Sequence, residues 1–307
     1  SRVVPIFKKG DAKNVQNYRP ISCVPSSSKI LESIIEKQLR KYVEDQKLLP
    51  MEQHGFRKNR STTTALTSII TEWIKNFEDG QHTGILLWDL SSAFDTIDID
   101  LFCKKMQIYG ATAITIDWLR SFLTERKQKV QVGEALSESA TISIGCPQGS
   151  ILSPLIFIIY MADIELWLKD VKLHSYADDM SSSYSSSNAD KVIQKLEADA
   201  HRILKFMASN SLVANSSKTG FLFIQRSGSN LHAPLTISIG SDTIMESSQF
   251  KILGLTVNNR LTWNDHVANI LPSLRQRTGA LKRIAHHVPK QYLSIISNAI
   301  ITSKIRY

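Results

Sequence analysis

The stretch Leu173-His174-Ser175-Tyr176-Ala177-Asp178-Asp179-Met180-Ser181-Ser182-Ser183-Tyr184 decides how the chain is read. It divides into two short strand-like runs that meet at Ala177-Asp178-Asp179, a hairpin turn carrying two adjacent acids. Neighbours on a straight strand face opposite ways, but a turn lets both carboxylates approach one point. A second acidic site lies upstream at the end of an apolar run, Leu86-Leu87-Trp88-Asp89, which continues as Leu90-Ser91-Ser92-Ala93-Phe94-Asp95. Residues 84–90 suit a buried strand. A carboxylate ending such a strand is costly unless it is paired or neutralised by a cation. Asp89, Asp178 and Asp179 would repel one another if they converged, and hard oxygen donors suit Mg²⁺. Taken singly, each acid fits a cap or a turn equally well. Asp95 is expected to serve structure and to point away.

Outward from these two sites, apolar periodicity predicts helices over 29–46 and 61–77, the second capped by Ser61 or a following Thr. Residues 127–132 alternate as a half-buried strand. A buried helix is expected over 155–168, with Pro154 in its first turn. An amphipathic helix follows over 190–209, then strands over 221–225, 235–239 and 250–257, and a helical tail from Trp263. The serine run 181–187 is the one low-complexity patch and is expected to be a solvent-facing strand and turn. The pattern predicts an α+β fold with an antiparallel sheet.

Composition narrows the class. Of 307 residues, 42% are hydrophobic and 21% charged, ordinary values for a globular protein. The longest uncharged apolar run, 150–162, is broken by Pro154, whereas a membrane span needs about 20 residues. Cys23, Cys103 and Cys146 are scattered and form no C-x-x-C pair, so neither a disulfide framework nor a zinc site is suggested. A reducing, intracellular setting fits. The opening Ser1-Arg2-Val3-Val4-Pro5 has no apolar leader, and a fragment of a longer protein is expected. The net charge of +9 is unevenly spread: residues 1–60 carry +7, residues 61–269 carry −5, and residues 270–307 carry +7 with no acid. Basic ends flank an acidic middle. Such ends attract polyphosphates, unless they are merely solvated faces.

Further stretches complete the pattern. They are Pro5-Ile6-Phe7-Lys8-Lys9-Gly10-Asp11, Asn17-Tyr18-Arg19-Pro20-Ile21-Ser22, and Gln53-His54-Gly55-Phe56-Arg57 with Ser61-Thr62. Beyond them come Gly145-Cys146-Pro147-Gln148-Gly149-Ser150, the run 215–219 with Lys218, and Leu253-Gly254. With the two acidic motifs, and in this order, the sequence resembles the reverse transcriptase domain of non-LTR (LINE-type) retrotransposons nearly end to end. Met180 after the acid pair and Cys146 before Pro147 depart from the family's usual residues, but neither removes a ligand.

The resemblance implies a right-hand polymerase: fingers over 1–80, palm with inserted fingers segments over 81–260, and a partial thumb over 261–307. It implies RNA-directed DNA polymerase activity, extending a DNA primer on an RNA template with dNTPs. Asp89 and Asp178 would hold two Mg²⁺ ions about 4 Å apart, with Mn²⁺ a possible substitute. Asp179 would be an auxiliary ligand, and the Leu90 carbonyl would complete a coordination shell. Lys8 or Lys9 and Arg19 would cradle the triphosphate, against the plainer reading of exposed charges. Gln148 and Gly149 would contact nucleotide and template, Gly149 because it lacks a side chain. Phe94 would lie under the sugar and exclude a 2′-hydroxyl, unless it is a plain core aromatic. Lys218 would protonate departing pyrophosphate or simply lie on the palm surface. Leu253 and Gly254 would form the primer grip. An endonuclease domain is expected elsewhere in a polyprotein, no membrane is expected, and a ribonucleoprotein in nucleus and cytoplasm is implied. The alternative is a nucleic-acid-binding remnant that has lost turnover. An RNA-dependent RNA polymerase is disfavoured, because that class normally has Gly where Ala177 stands.

Overall fold

The computed structural model describes residues 1–90, 92–215, 218–225 and 235–306. Ser91 of the first acidic motif, Ser216 and Ser217 of the Lys218 motif, and Tyr307 at the end of the tail lie outside the described residues.

The chain runs β1 (Arg2–Phe7), β2 (Tyr18–Cys23), α1 (Ser26–Asp45), α2 (Thr62–Glu78), β3 (His82–Trp88), α3 (Ile99–Ile108), α4 (Ala113–Leu123), β4 (Arg126–Val132), β5 (Ala135–Leu136) and β6 (Ala140–Ile142). It continues with α5 (Ser153–Tyr160), β7 (Lys172–Tyr176), β8 (Asp179–Ser186), α6 (Ala189–Ser209), β9 (Gly220–Ile224), β10 (Thr236–Ile239) and β11 (Asp242–Met245). Last come β12 (Gln249–Ile252), β13 (Leu255–Asn258), α7 (Asn264–Ile284), α8 (Lys290–Ser297) and α9 (Ser303–Arg306), with a π-helical turn, Asn298–Thr302, between α8 and α9.

The central sheet has the order β7-β8-β3-β9 and is antiparallel throughout. Helices cover both of its faces, which explains why β3 reads as a continuous apolar run rather than an alternating one. On one face Ile85 joins Leu66, Ile69 and Trp73 of α2 and Leu222 of β9. On the other, Leu86 and Trp88 join Val192, Leu196 and Ile203 of α6 and the α5 residues. Gly84 lies directly beneath α6: a Cβ there would sit 2.4 Å from a Leu196 methyl. The N-terminal segment forms its own sheet, β2-β1-β4-β5 with β6 beside β4, and β1 pairs with β4 in parallel. Residues 126–142 therefore fold back onto the start of the chain.

The helix starting after Ser61 is closed by a capping box: the Ser61 hydroxyl accepts from the Thr64 N–H, and the Thr64 hydroxyl accepts from the Ser61 N–H.

Three expectations need correction. The serine run is not solvent-facing: Ser181, Ser182 and Ser183 are buried in β8, beside β3. Serine fits there because it is small and because the Ser182 hydroxyl accepts a 3.0 Å bond from the Trp88 indole N–H. The helix expected over 155–168 stops at Tyr160 and continues as a 3₁₀ segment, Ala162–Trp167. The strand expected over 250–257 is a hairpin, β12 to β13, that turns at Leu253 and Gly254, both at positive φ. All three cysteines are free, with Cys103 and Cys146 buried. No helix among the described residues is long and apolar enough to cross a membrane.

Candidate active site

Asp89 follows the last residue of β3, and its carbonyl accepts from the Asn215 N–H at 2.8 Å. Asp178 and Asp179 lie at the β7–β8 hairpin beside it, where Trp88 pairs with Met180. Central strands with buried neighbours thus deliver all three acids to one end of the sheet. They do not meet at a point. A cleft of about 940 Å³ is lined by Asp89 and Asp178, a second of about 600 Å³ by Asp89 and Asp179. Asp89 and Lys218 line both.

The hairpin is held from behind. Ala177 has φ +60°, a left-handed conformation that costs a non-glycine residue about 1 kcal/mol or more. The buried Gln53 side chain accepts from the Ala177 N–H at 3.1 Å and from the Gly55 N–H at 2.8 Å. His54 N–H donates to the Ser175 carbonyl, and Ser175 N–H to the Glu52 carbonyl. Gly55 fits because it has no side chain: a Cβ would stand 2.3 Å from the Ala177 nitrogen. Below it, buried His174 lies between the Glu52 and Glu72 carboxylates at 3.1 and 3.3 Å, and Lys172 bridges the same two acids. Burial alone would raise the pKa of both glutamates, but Lys172 and His174 outweigh it and hold both low. The sequence carries the brace in plain view as Gln53-His54-Gly55, but nothing local to that motif shows that it grips the hairpin.

The electrostatics of the acids are uneven. Burial pushes the Asp179 carboxyl up, and the charges of Asp178 and Asp89 add to the shift. Asp89 is already met by a cation: the Lys218 ammonium donates to its carboxylate at 3.0 Å. Among the described residues, no group of three or more His, Cys, Asp or Glu side chains is gathered closely enough to hold a metal ion. The donor chemistry nonetheless suits a hard divalent cation. Carboxylate oxygens are hard donors, and a lysine ammonium already sits against one of them.

The larger cleft brings together most of the other expected residues. Lys8, Arg19, Leu90, Phe94, Gln148, Gly149 and Lys218 line it with the two acids; Lys9 does not. Lys8 follows β1, whose pairing with β2 sets Phe7 against Tyr18 and Ile6 against Arg19. Phe94 is half-buried, stacks on Phe157 with ring centres 4.6 Å apart, and meets Phe56 edge-on. It is thus a core-packed ring that also faces the cleft. Leu90 is buried and bridges to Ala214. Leu253 and Gly254 line the smaller cleft with Asp179 and Tyr176.

Two readings change here. Asp95 does not point away: it lines the larger cleft, and its carboxylate accepts twice from the Gln148 amide nitrogen, at 2.9 and 2.8 Å. Gly149, at φ +119°, needs its missing side chain for a neighbour within the chain. A Cβ would stand 2.5 Å from the Ser22 carbonyl, and the Ser22 N–H donates to the Gln148 carbonyl at 2.6 Å. The loop has further ties. Buried Glu32 of α1 accepts from the Ser150 hydroxyl at 2.6 Å and the Ile151 N–H at 2.7 Å. Arg126 donates to the Ile144 and Gly145 carbonyls. Burial pushes the Cys146 thiol up to about 12, so this residue is an unreactive core side chain.

Acids thus stand at two strand ends of one antiparallel sheet, and Lys8, Arg19 and Lys218 line the same cleft. Residues 6–257 match the family model described as reverse transcriptase (RNA-dependent DNA polymerase), and the chain belongs to that family. It is 28% identical over 290 residues to a probable RNA-directed DNA polymerase from transposon BS of Drosophila melanogaster, covering 91% of this chain and 32% of that one. It is 26% identical over 303 residues to the RNA-directed DNA polymerase from mobile element jockey of the same organism, covering 95% of this chain and 32% of that one. The chain thus spans about a third of the length of these relatives. The expected kinship with non-LTR retrotransposon reverse transcriptases is borne out. So is the right-hand polymerase fold. The chain resembles a telomerase from Candida albicans solved with a fragment of telomeric RNA, with TM-score 0.56 and 14% identity, over 84% of this chain and 43% of that one. An apo telomerase from Candida tropicalis gives TM-score 0.52 at 14% identity, over 81% of this chain and 52% of that one.

Proposed function

We propose that this chain extends a DNA primer on an RNA template, joining the primer 3′-oxygen to the α-phosphorus of a dNTP with release of pyrophosphate. The observation that carries the reading is the larger cleft, which Asp89 and Asp178 line together with Lys8 and Arg19. Acids and cations in one cleft suit a nucleoside triphosphate that arrives with a divalent ion. Asp89 and Asp178 would hold two Mg²⁺ ions, or Mn²⁺ in their place, with Asp179 assisting and the Leu90 carbonyl as a further ligand. When bound, such ions neutralise phosphate charge and acidify the primer hydroxyl. Lys8, rather than Lys9, and Arg19 would take the phosphates, and Gln148 and Gly149 the nucleotide and template side. Phe94 would sit beneath the sugar. Lys218 would leave Asp89 as the ion arrives and become available to protonate pyrophosphate. Leu253 and Gly254, in the adjoining cleft, would hold the primer end.

In this reading residues 1–80 are fingers, 81–260 palm with inserted fingers segments, and 261–307 a partial thumb. The pairing of β4 with β1 supports the insertion. The full polyprotein would supply an endonuclease and act as a ribonucleoprotein in cytoplasm and nucleus. Extension of a DNA primer on an RNA template with dNTPs and Mg²⁺ tests the activity. Template-dependent extension that stops on chelation of the metal is the expected result. Tight primer–template binding without any extension would instead favour the inactive remnant.

A further inference from the structure

Behind the acidic hairpin lies a buried histidine that the mechanism above does not use. His174 stands in β7, four residues before Asp178, and its side chain is 1% exposed. Each ring nitrogen faces a different carboxylate: Nδ1 lies 3.1 Å from Glu52 and Nε2 lies 3.3 Å from Glu72. The Nε2 contact is a hydrogen bond, whereas Nδ1 meets its oxygen at ion-pair distance but outside hydrogen-bond geometry. A neutral imidazole has one N–H and one bare lone pair. In either tautomer that lone pair would face a carboxylate oxygen, in a buried place where solvent screens the repulsion poorly. The imidazolium has no such conflict, because both of its nitrogens carry a proton.

The surroundings make this one charge count. Lys172 bridges the same two acids at 3.1 and 2.8 Å, but its side chain is 45% exposed and water screens it. Glu165 of the 3₁₀ segment adds negative charge nearby, and His54 lies 3.7 Å from Glu52 with Arg60 against its ring at 3.4 Å. Opposite His174 in β8 stands the uncharged Ser181, and the smaller cleft that His174 lines also holds Asp89, Asp179, Lys218 and Lys251. Burial raises the pKa of both Glu52 and Glu72, but Lys172 and His174 outweigh it and hold both low, so these acids keep their charge while the ring titrates. The backbone joins the cluster to the hairpin: Ser175 N–H donates to the Glu52 carbonyl, and His54 N–H to the Ser175 carbonyl. Glu72 belongs to α2, so one ring touches three segments.

We propose that His174 is a positioning residue whose imidazolium ties β7 to residues 52–55 and to α2, and that the acids at the hairpin are held for turnover only while this ring carries both protons. Two carboxylates favour the charged ring, so the hold is complete at lower pH and is lost as pH rises through the ring's ionisation. Without the second proton a lone pair meets a carboxylate, the frame relaxes, and Asp178 and Asp179 move by a fraction of an ångström. The role in turnover rests on the polymerase reading above; the contacts of the ring do not.

Two measurements on the full chain test it. In a long-range ¹H–¹⁵N spectrum of protein labelled at histidine, the His174 ring is assigned by the signals that vanish in His174→Gln. Loss of its second proton is then followed against pH. Glu72→Gln should move that loss to lower pH, since one of the two facing carboxylates is gone. No movement would overturn the imidazolium contact, whatever the activity. The second measurement is kcat for primer extension in the unaltered protein divided by kcat in His174→Gln, whose amide is neutral at every pH. The ratio cancels the pH dependence that the chemistry gives to both. It should be about tenfold on the acid side of the ring's ionisation, the scale of a sub-ångström misplacement, and fall toward one on the alkaline side. That fall should coincide with the ring's own loss of a proton, and KM for primer–template should hold level. A ratio constant with pH, or one that falls at a different pH, would mean that His174 only supports the fold and would overturn the positioning role. Should His174→Gln fail to fold, Glu72→Gln decides: the pH dependence of kcat and the ring's ionisation must move together, and independent movement would overturn the proposal. A protein whose ring behaves as described but that extends nothing would sink the polymerase reading, and the positioning role with it, while leaving the ring's contacts intact.

Discussion

The hairpin that carries Asp178 and Asp179 and the helices at the C-terminus are built on opposite principles. The hairpin emerges from a sheet covered on both faces, is bonded through Gln53 and Gly55 to a second segment, and has the His174–Glu52–Glu72–Lys172 cluster beneath it. In α7, α8 and α9 no residue is buried, and Arg275, Lys282, Arg283 and Lys290 are exposed. Reacting groups must be held to fractions of an ångström, and only a buried frame does that. Charges that track a flexible polyphosphate need reach rather than rigidity. Changes at the first region should therefore act on turnover, and changes at the second on affinity.

The largest expected effect is at the acids. Asp89→Asn or Asp178→Asn should lower extension about a thousandfold or more, because several kcal/mol of charge stabilisation go with a metal ligand and each 1.4 kcal/mol is tenfold. Primer–template affinity should stay level or rise, since a negative charge leaves the cleft. Primer extension beside filter binding reads both. Near-normal extension by either variant would break the assignment.

Next is the brace. In Gly55→Ala the new methyl would meet the Ala177 backbone at 2.3 Å, and something must shift. Overpacking of this kind costs about 1–3 kcal/mol. Displacing the acids by even 1 Å should cost about a hundredfold in kcat. Gly133→Ala is the matched control: its Cβ meets nothing within 4 Å, and with φ at +59° it carries only the left-handed backbone cost. Thermal melts and kcat for both variants make the measurement. If the two lose kcat equally, the brace does not position the hairpin.

Phe94→Val is smaller and two-sided. Its stacking on Phe157 and edge contact with Phe56 mean that truncation should cost about 2 kcal/mol of stability. If the ring also limits the sugar, ribonucleotide use should rise about tenfold against deoxyribonucleotide use in the protein that still folds. Reduced stability with preference unchanged would assign Phe94 to the core alone.

How much of this was legible follows from the distance over which each feature is decided. The β7–β8 hairpin and the burial of β3 were readable because strand period, apolar content and turn position are local. So was a cap at the start of α2, at Ser61 or a following Thr, though not its reciprocal bond with Thr64. The burial of Ser181 to Ser183 was not, because serine's small volume says nothing of what lies over it; the partner, Trp88, is nearly a hundred residues away in sequence. Asp95 was misplaced for a similar reason. Counting residues along a presumed strand ignores the turn at Asp95–Ser92 that brings its carboxylate round to Gln148. The hairpin at Leu253-Gly254 was signalled by its glycine, but the apolar residues on both sides mimicked one continuous strand.

The smallest expected effect sharpens the comparison from the C-terminal side, because the basic residues there are not equivalent. Arg277 is half-buried and donates to the Ile300 carbonyl at 2.7 Å, so it ties α7 to the π-helical turn. Lys282 and Arg283 have no such side-chain bond among the described residues and are exposed. Replacing the latter two with Ala should leave the melting temperature and kcat unchanged while weakening binding to every primer–template alike. Each phosphate left without its cation takes roughly 0.9 from the slope of log affinity against log salt on B-DNA, with a somewhat different coefficient for a hybrid duplex. A drop of about one to two in that slope is therefore expected for the pair. Arg277→Ala should instead lower the melting temperature, with a slope change no larger than that of a single phosphate. Titrations at four or five salt concentrations with melts on the same preparations separate the cases. An unchanged slope in the Lys282/Arg283 variant would mean that these cations serve solubility, and that phosphate attraction resides in the N-terminal sheet around Lys8 and Arg19.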